Sequence, residues 1–225
     1  MQQHAAGPGP SRATTIGLLL ALFGGPAFVA VFRIVTGESH SNLQLIVREL
    51  CLLLLAVVLL WLIRTREHLP LTSVGLHTDR IGRSLVRGVV LTVVALAATV
   101  GLYLSLKQAG IRLGEGGSEA FHPSLWVVTL VMLRAGVAEE LFYRGYAIER
   151  LQALSGSRRV AAIVPLVVFA AAHYRQGVGG IIATFVLGAI FTMAYLRWRD
   201  LIANMSGHFL GDFVLNVGVP LMGAG

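Results

Sequence analysis

The stretch GVAEELFYRGYAIERL, Gly136–Leu151, decides how this chain is read. It continues an apolar run, PSLWVVTLVML, that has the character of a membrane span, and it places two adjacent glutamates where lipid is expected. An arginine follows four residues after the second glutamate. Glu140 and Arg144 share one helical face at this i, i+4 spacing and can form an ion pair. Glu139 is rotated from that face by about 100° and has no evident local partner. A glutamate without a partner in apolar surroundings can exchange protons near neutral pH. The alternative is that both glutamates cap a helix end at the water surface.

The rest of the chain fits a membrane setting. Hydrophobic residues make up 56% of the 225 residues, charged residues 13%, and mean hydropathy is +0.76. A soluble domain carries about 25% charge. The net charge of +7 does not indicate nucleic acid, because the arginines sit at the ends of apolar runs, where they set orientation. The single cysteine, Cys51, excludes an intrachain disulfide and a cysteine metal site.

A span needs about 20 apolar residues. The sequence predicts an all-α, polytopic transmembrane bundle of about seven spans: Thr14–Val35, Leu43–Ile63, Leu85–Leu106, Pro123–Tyr143, Val160–His173, Gly179–Tyr195 and Leu201–Leu221. The fifth is short and the seventh is interrupted by polar residues, so the range is six to eight. Residues 1–13 read as a disordered tail. Residues 14–122 read as three N-terminal spans with connecting interfacial segments, and 123–225 as a catalytic core of about four spans. The segment HLPLTSVGLHTDRIGRSLVRG suits a helix lying in the interface, and KQAGIRLGEGGSEAFH an exposed loop. The N-terminal tail and even-numbered loops hold eleven arginines, against five basic residues in the odd-numbered loops, Arg33, Arg48 and Arg175 among them. Positive-inside then puts the N-terminus in the cytoplasm.

Polar groups inside spans narrow the reading. Glu139, Glu140 and Asp212, if unpaired, would together cost about 8–10 kcal/mol, against a whole-protein stability of ~5–15 kcal/mol. They must therefore face the bundle interior. His173 ends the fifth run, and Asn204, His208, Asp212 and Asn216 form a stripe at four-residue spacing on the seventh. Such a stripe serves catalysis or joins helices through hydrogen bonds. Measured from Arg150, Arg159 and Asp200 as cytoplasmic ends, Glu139, His173, His208 and Asp212 lie at depths of about 16, 21, 12 and 18 Å. All four fall in one band of a core about 30 Å thick.

EELFYR fits EExxxR, FAAAH fits FxxxH and HFLGD fits HxxxN/D. In this order, each on its own apolar run, they resemble the CPBP family: type II CAAX prenyl endopeptidases and bacterial relatives linked to bacteriocin processing and self-immunity. The resemblance covers about Pro123 to Val219. It implies a helical bundle that hydrolyses peptide bonds within the membrane. Glu139 and His173 would activate a water, His208 and Asp212 would hold the oxyanion, and Glu140 and Arg144 would be the supporting pair, with Asn216 beside them. An oxyanion site needs donors, and Asp212 donates only when protonated. Its other roles would be to orient His208 or to ligate a metal. The favoured mechanism uses no cofactor; zinc held by Glu139, His173, His208 and Asp212 is the alternative. The expected partners are the lipid bilayer and a membrane-embedded or lipidated peptide or protein substrate, with no nucleic acid. The expected location is the bacterial plasma membrane. Competing functions are a non-catalytic immunity or partner-binding protein of the same family and a proton-coupled transporter, the latter disfavoured because no inverted repeat is visible.

Overall fold

The computed structural model describes residues 11–38, 41–111 and 122–223. The expectations for residues 1–10 of the tail and for residues 112–121 of the glycine-rich loop lie outside them. Helix begins earlier than expected. The Ser11 hydroxyl accepts from the Thr14 amide at 3.1 Å and starts α1 at Arg12.

Seven helices follow one another, and no strand occurs among the described residues. They are α1 (Arg12–Thr36), α2 (Asn42–Thr65), α3 (Ile81–Gln108), α4 (125–155), α5 (Arg158–Ala172), α6 (Gly177–Trp198) and α7 (201–223). Each coincides with one of the apolar runs. Among the described residues, α1, α2, α3 and the stretch Tyr174–Trp198 that contains α6 are the four helices long and apolar enough to cross a membrane. The other three fall short for physical reasons. α5 has only 15 residues, under the ~20 of a full span. α4 carries Arg134, Glu139 and Glu140 in its first two-thirds, and α7 is diluted by Asn204, His208, Asp212 and Asn216. The three helices that look least like spans are the ones that carry the polar motifs.

Short caps set the helix ends. Gly156, at φ 66°, ends α4 in the left-handed region, and the Ser157 hydroxyl then accepts from the Val160 amide to open α5. The Asp200 carboxylate caps α7 by accepting from the Ala203 amide at 3.2 Å. Between α2 and α3 the expected interfacial helix does not form. A single 3₁₀ turn, Leu71–Val74, tucks under α4 instead, and the Leu201 amide donates to the Gly75 carbonyl at 2.9 Å. Val74 is buried and its carbonyl abuts Gly145, so the middle of this connection is anchored in the core while its two ends remain exposed.

α4 is the central post. Its segment Ala135–Ile148 winds as a widened π-helical turn, and nearly every residue there is buried. Leu59, Ile63, Leu141, Tyr146, Tyr195 and Leu201 form the packed core around it. α3 and α7 approach closely through small residues: a Cβ on Gly207 would meet the Gly88 carbonyl at 3.0 Å. Thr92 donates to the Gly207 carbonyl across this contact at 3.1 Å. Lipid tails are as apolar as the side chains, so close approach and interhelical hydrogen bonds must hold such a bundle.

The arginine-rich loops gather at one end of the bundle. There Glu67 receives Tyr146 and Arg150, Glu149 receives Tyr195 and Arg199, and Asp200 receives Ser84 and Arg87. Together with the core beneath α4, these knots close that end. Arg33, Glu38 and Arg175 meet at the other.

Candidate active site

Glu140 is fully buried and fully engaged. Its Oε1 accepts from Arg144 Nη1 at 2.7 Å and from His208 Nδ1 at 2.8 Å, and its Oε2 accepts from Asn204 Nδ2 at 3.0 Å. Arg144 reaches across α6 to the Gly188 carbonyl at 3.2 Å, and the same glycine leaves room for the guanidinium. Asn204 also donates to the Phe191 carbonyl at 2.9 Å. One carboxylate thereby ties α4 to α7, while Arg144 and Asn204 carry the connection on to α6. The i, i+4 pair expected from the spacing is present and is the centre of this knot.

Glu139 faces a different neighbourhood. Its Oε1 accepts from Arg134 Nη1 at 2.5 Å. Arg134 in turn donates through Nε to Glu49 Oε2 at 2.5 Å, and Arg48 donates to Glu49 Oε1 at 2.7 Å. The result is a chain of alternating charges, Arg48–Glu49–Arg134–Glu139, rooted in the fully buried Glu49 of α2. Glu139 Oε2 makes no hydrogen bond among the described residues, so the carboxylate is held by one oxygen and open at the other.

His173 closes α5. Its Nδ1 lies 2.8 Å from the Phe169 carbonyl. A carbonyl only accepts, so Nδ1 carries the hydrogen and Nε2 presents a lone pair. The Phe169 ring packs edge-on against both Tyr143 and His173, with the Arg144 guanidinium 4.4 Å from its centroid. The phenylalanine of FxxxH thus fixes both the orientation and the tautomer of the histidine.

His208 sits between two carboxylates. Nδ1 faces Glu140, and Nε2 lies 3.4 Å from Asp212 Oδ2. Glu139, Glu140, Arg144, His173, His208 and Asp212 all line one cavity of about 320 Å³. Its remaining wall is mostly apolar and comes from α3, α6 and α7, including Leu96, Thr99 and Leu187. Asn216 is not brought to it. The helix widens into a π turn over Val214–Gly218, and the exposed Asn216 amide donates to the Asp212 backbone carbonyl at 2.8 Å.

Sequence reading missed Arg48, Glu49 and Arg134. The signal was present. Arg48 and Glu49 interrupt an apolar run as Glu139 does, and the cost argument applies equally to them. Counting Arg48 as a helix-end residue set it aside. Among the described residues, no three His, Cys, Asp or Glu side chains are grouped so as to hold a metal ion. The four-residue zinc arrangement is therefore not assembled by these side chains as they stand.

Fold and site together define an integral membrane protein built of helices, with an ionisable cavity enclosed by the bundle. Residues 121–214 match the family model described as type II CAAX prenyl endopeptidase Rce1-like, and the three motifs that resemble that family lie within this segment. No curated protein and no solved structure matches the chain. The matched segment contains all six cavity groups named above. Arg48 and Glu49 lie outside it.

Proposed function

We propose that the protein is an intramembrane endopeptidase in which Glu139 and His173 activate a water for attack on a peptide carbonyl. The observation that carries this reading is a pair of unengaged lone pairs, Glu139 Oε2 and His173 Nε2, on groups that line the same cavity as His208 and Asp212. A water between the two bases gives a proton to Glu139 as its oxygen bonds to the carbonyl carbon. The developing oxyanion is met by His208, whose Nε2–H donates when both ring nitrogens carry hydrogen. Asp212 orients that ring. The protonated Glu139 then delivers its proton to the departing amine as the C–N bond breaks, leaving a new carboxylic acid and a free amine. Arg134 holds Glu139 in place through the oxygen that the water does not use.

The distribution of arginines supports a cytoplasmic N-terminus, and the setting proposed is a bacterial plasma membrane. The substrate is a membrane-embedded or lipidated peptide. The test is cleavage by purified protein of a panel of transmembrane and lipidated peptides, with and without chelator. Glu139→Gln and His173→Ala are expected to abolish cleavage while thermal unfolding is preserved, and His208→Ala to abolish cleavage with some loss of stability, because its Nδ1 also donates to Glu140. Equal cleavage by Glu139→Gln and the parent ends the proposal. Cleavage lost on chelation and restored by zinc replaces the metal-free mechanism.

A further inference from the structure

The two bases border more than one cavity. A second cavity, of about 300 Å³, lies beyond the wall that they form, and Arg134, Glu139, Phe169 and His173 line both. The second cavity runs between α1, α2 and α4, past Val29, Ala30, Leu52 and Phe142. Its charged groups form a graded series. Glu38 and Arg175 pair at the surface with side chains about half exposed, and Arg33 joins them at 23%. Exposure is 22% at Arg48 and falls to 13% at Arg134, which holds Glu139. A row of charges thus leads from the surface to the base.

Three of these arginines run against the trend of the sequence. Arg33, Arg48 and Arg175 belong to the five basic residues on the face opposite the arginine-rich loops. Orientation in the membrane does not account for them. Charges within a bundle are tolerated where they are paired or face a water-filled cavity. Each guanidinium carries five N–H donors. Among the described residues Arg33 pairs only with Glu38, and Arg48 only with Glu49. The remaining donors are satisfied if the cavity that these side chains share is wet. The first cavity has no comparable track. Its wall along α3, α6 and α7 is mostly apolar, and a peptide seated against His208 fills the space in front of the bases.

We infer that the second cavity is the path by which water reaches Glu139 and His173, entering at the face opposite the arginine-rich loops while substrate occupies the first cavity. The inference rests on the proposed peptidase reading, in which each turnover consumes one water and leaves its oxygen in the new carboxylic acid. Reactant peptide and reactant water then arrive from opposite sides of one wall, so a bound peptide does not shut out the water that cleaves it.

The experiment places single cysteines in the full chain, in a Cys51→Ser background, and reads their reaction with a small hydrophilic methanethiosulfonate in membrane vesicles of either sidedness. Thr36→Cys and Thr78→Cys, both at exposed positions, mark the two ends of the bundle. Val29 and Ala30 lie roughly 10 Å further along α1 than Thr36. Val29→Cys and Ala30→Cys are expected to react in the vesicles that label Thr36→Cys. Val31→Cys, exposed on the same helix but outside the cavity lining, is expected to stay unreactive in the bilayer. Each cavity variant is then compared before and after modification with a bulky methanethiosulfonate. The plug is expected to abolish cleavage, to leave peptide binding by fluorescence anisotropy unchanged, and to be reversed by dithiothreitol, which separates blocking from misfolding. Four results would each overturn the inference: Val29→Cys and Ala30→Cys no more reactive than Val31→Cys, reaction only in vesicles that label Thr78→Cys, a plug that leaves cleavage intact, or a loss that extends to peptide binding or resists dithiothreitol. A chain that cleaves no peptide ends the peptidase reading, and the labelling still decides whether the path is wet.

Discussion

Glu139 and Glu140 are adjacent in the chain and opposite in circumstance. Glu140 is fully buried, and three donors on its own helix and on α7 engage its two oxygens. Glu139 is partly open to a cavity, is held through one oxygen by Arg134, and keeps the other oxygen free. A buried carboxylate with both oxygens engaged resists change and serves as a joint between helices. A carboxylate with one oxygen anchored and one presented is oriented without being consumed, which is what a base requires. In the proposed mechanism the same residue type supplies architecture at one position and chemistry at the next. One residue step along the widened helix separates the two roles.

The comparison can be broken most sharply at its chemical half. Glu139→Gln keeps the size of the side chain and removes its basicity. Cleavage is expected to fall by about 10²–10⁴-fold, with an unchanged melting profile in detergent. The structural half should fail in the other currency. Glu140→Ala strands Arg144 and His208 in the interior, and stability is expected to fall by about 3–5 kcal/mol, read by thermal or chemical unfolding, with activity lost alongside. If Glu140→Ala were as stable as the parent, the division of labour would collapse.

Smaller changes sharpen the contrast. Glu49→Gln loosens the anchor of Arg134, and the misplacement of Glu139 should lower kcat by about ten-fold, since small displacements of catalytic groups carry large rate effects. KM is expected to stay nearly constant, and Glu49→Asp should recover part of the loss. Asn204→Ala removes one donor to Glu140 and one to the Phe191 carbonyl, which predicts a stability loss of about 1–3 kcal/mol. Asn216→Ala should shift stability by no more than ~0.5 kcal/mol and leave cleavage unaltered, since its amide bonds only its own helix.

Much of this was legible from one sequence because its signals are local. Apolar runs of span length located all seven helices, and the i, i+4 spacing of Glu140 and Arg144 foretold their pair. The stripe on α7 was legible as far as Asp212. It failed at Asn216, because extrapolating a regular period assumes an unbroken α-helix and the chain widens its turn just before that residue. Contacts between distant helices were not legible. Nothing in the spacing of Glu49 and Arg134, 85 residues apart, indicates that they touch. Likewise the partner of His208 Nδ1 is a glutamate 68 residues away, visible only once α4 and α7 are packed.

The shared wall between the two chambers bears on how this molecule could be blocked. A ligand confined to either chamber competes only for its own contacts. A single compound with one arm in each, joined by a linker that clears Phe169 and Arg134, makes its second docking event intramolecular. Tethering of that kind raises avidity by about 10²–10⁴-fold when the linker length suits the gap. The partition that separates the chambers is thus also the ruler by which an inhibitor should be cut.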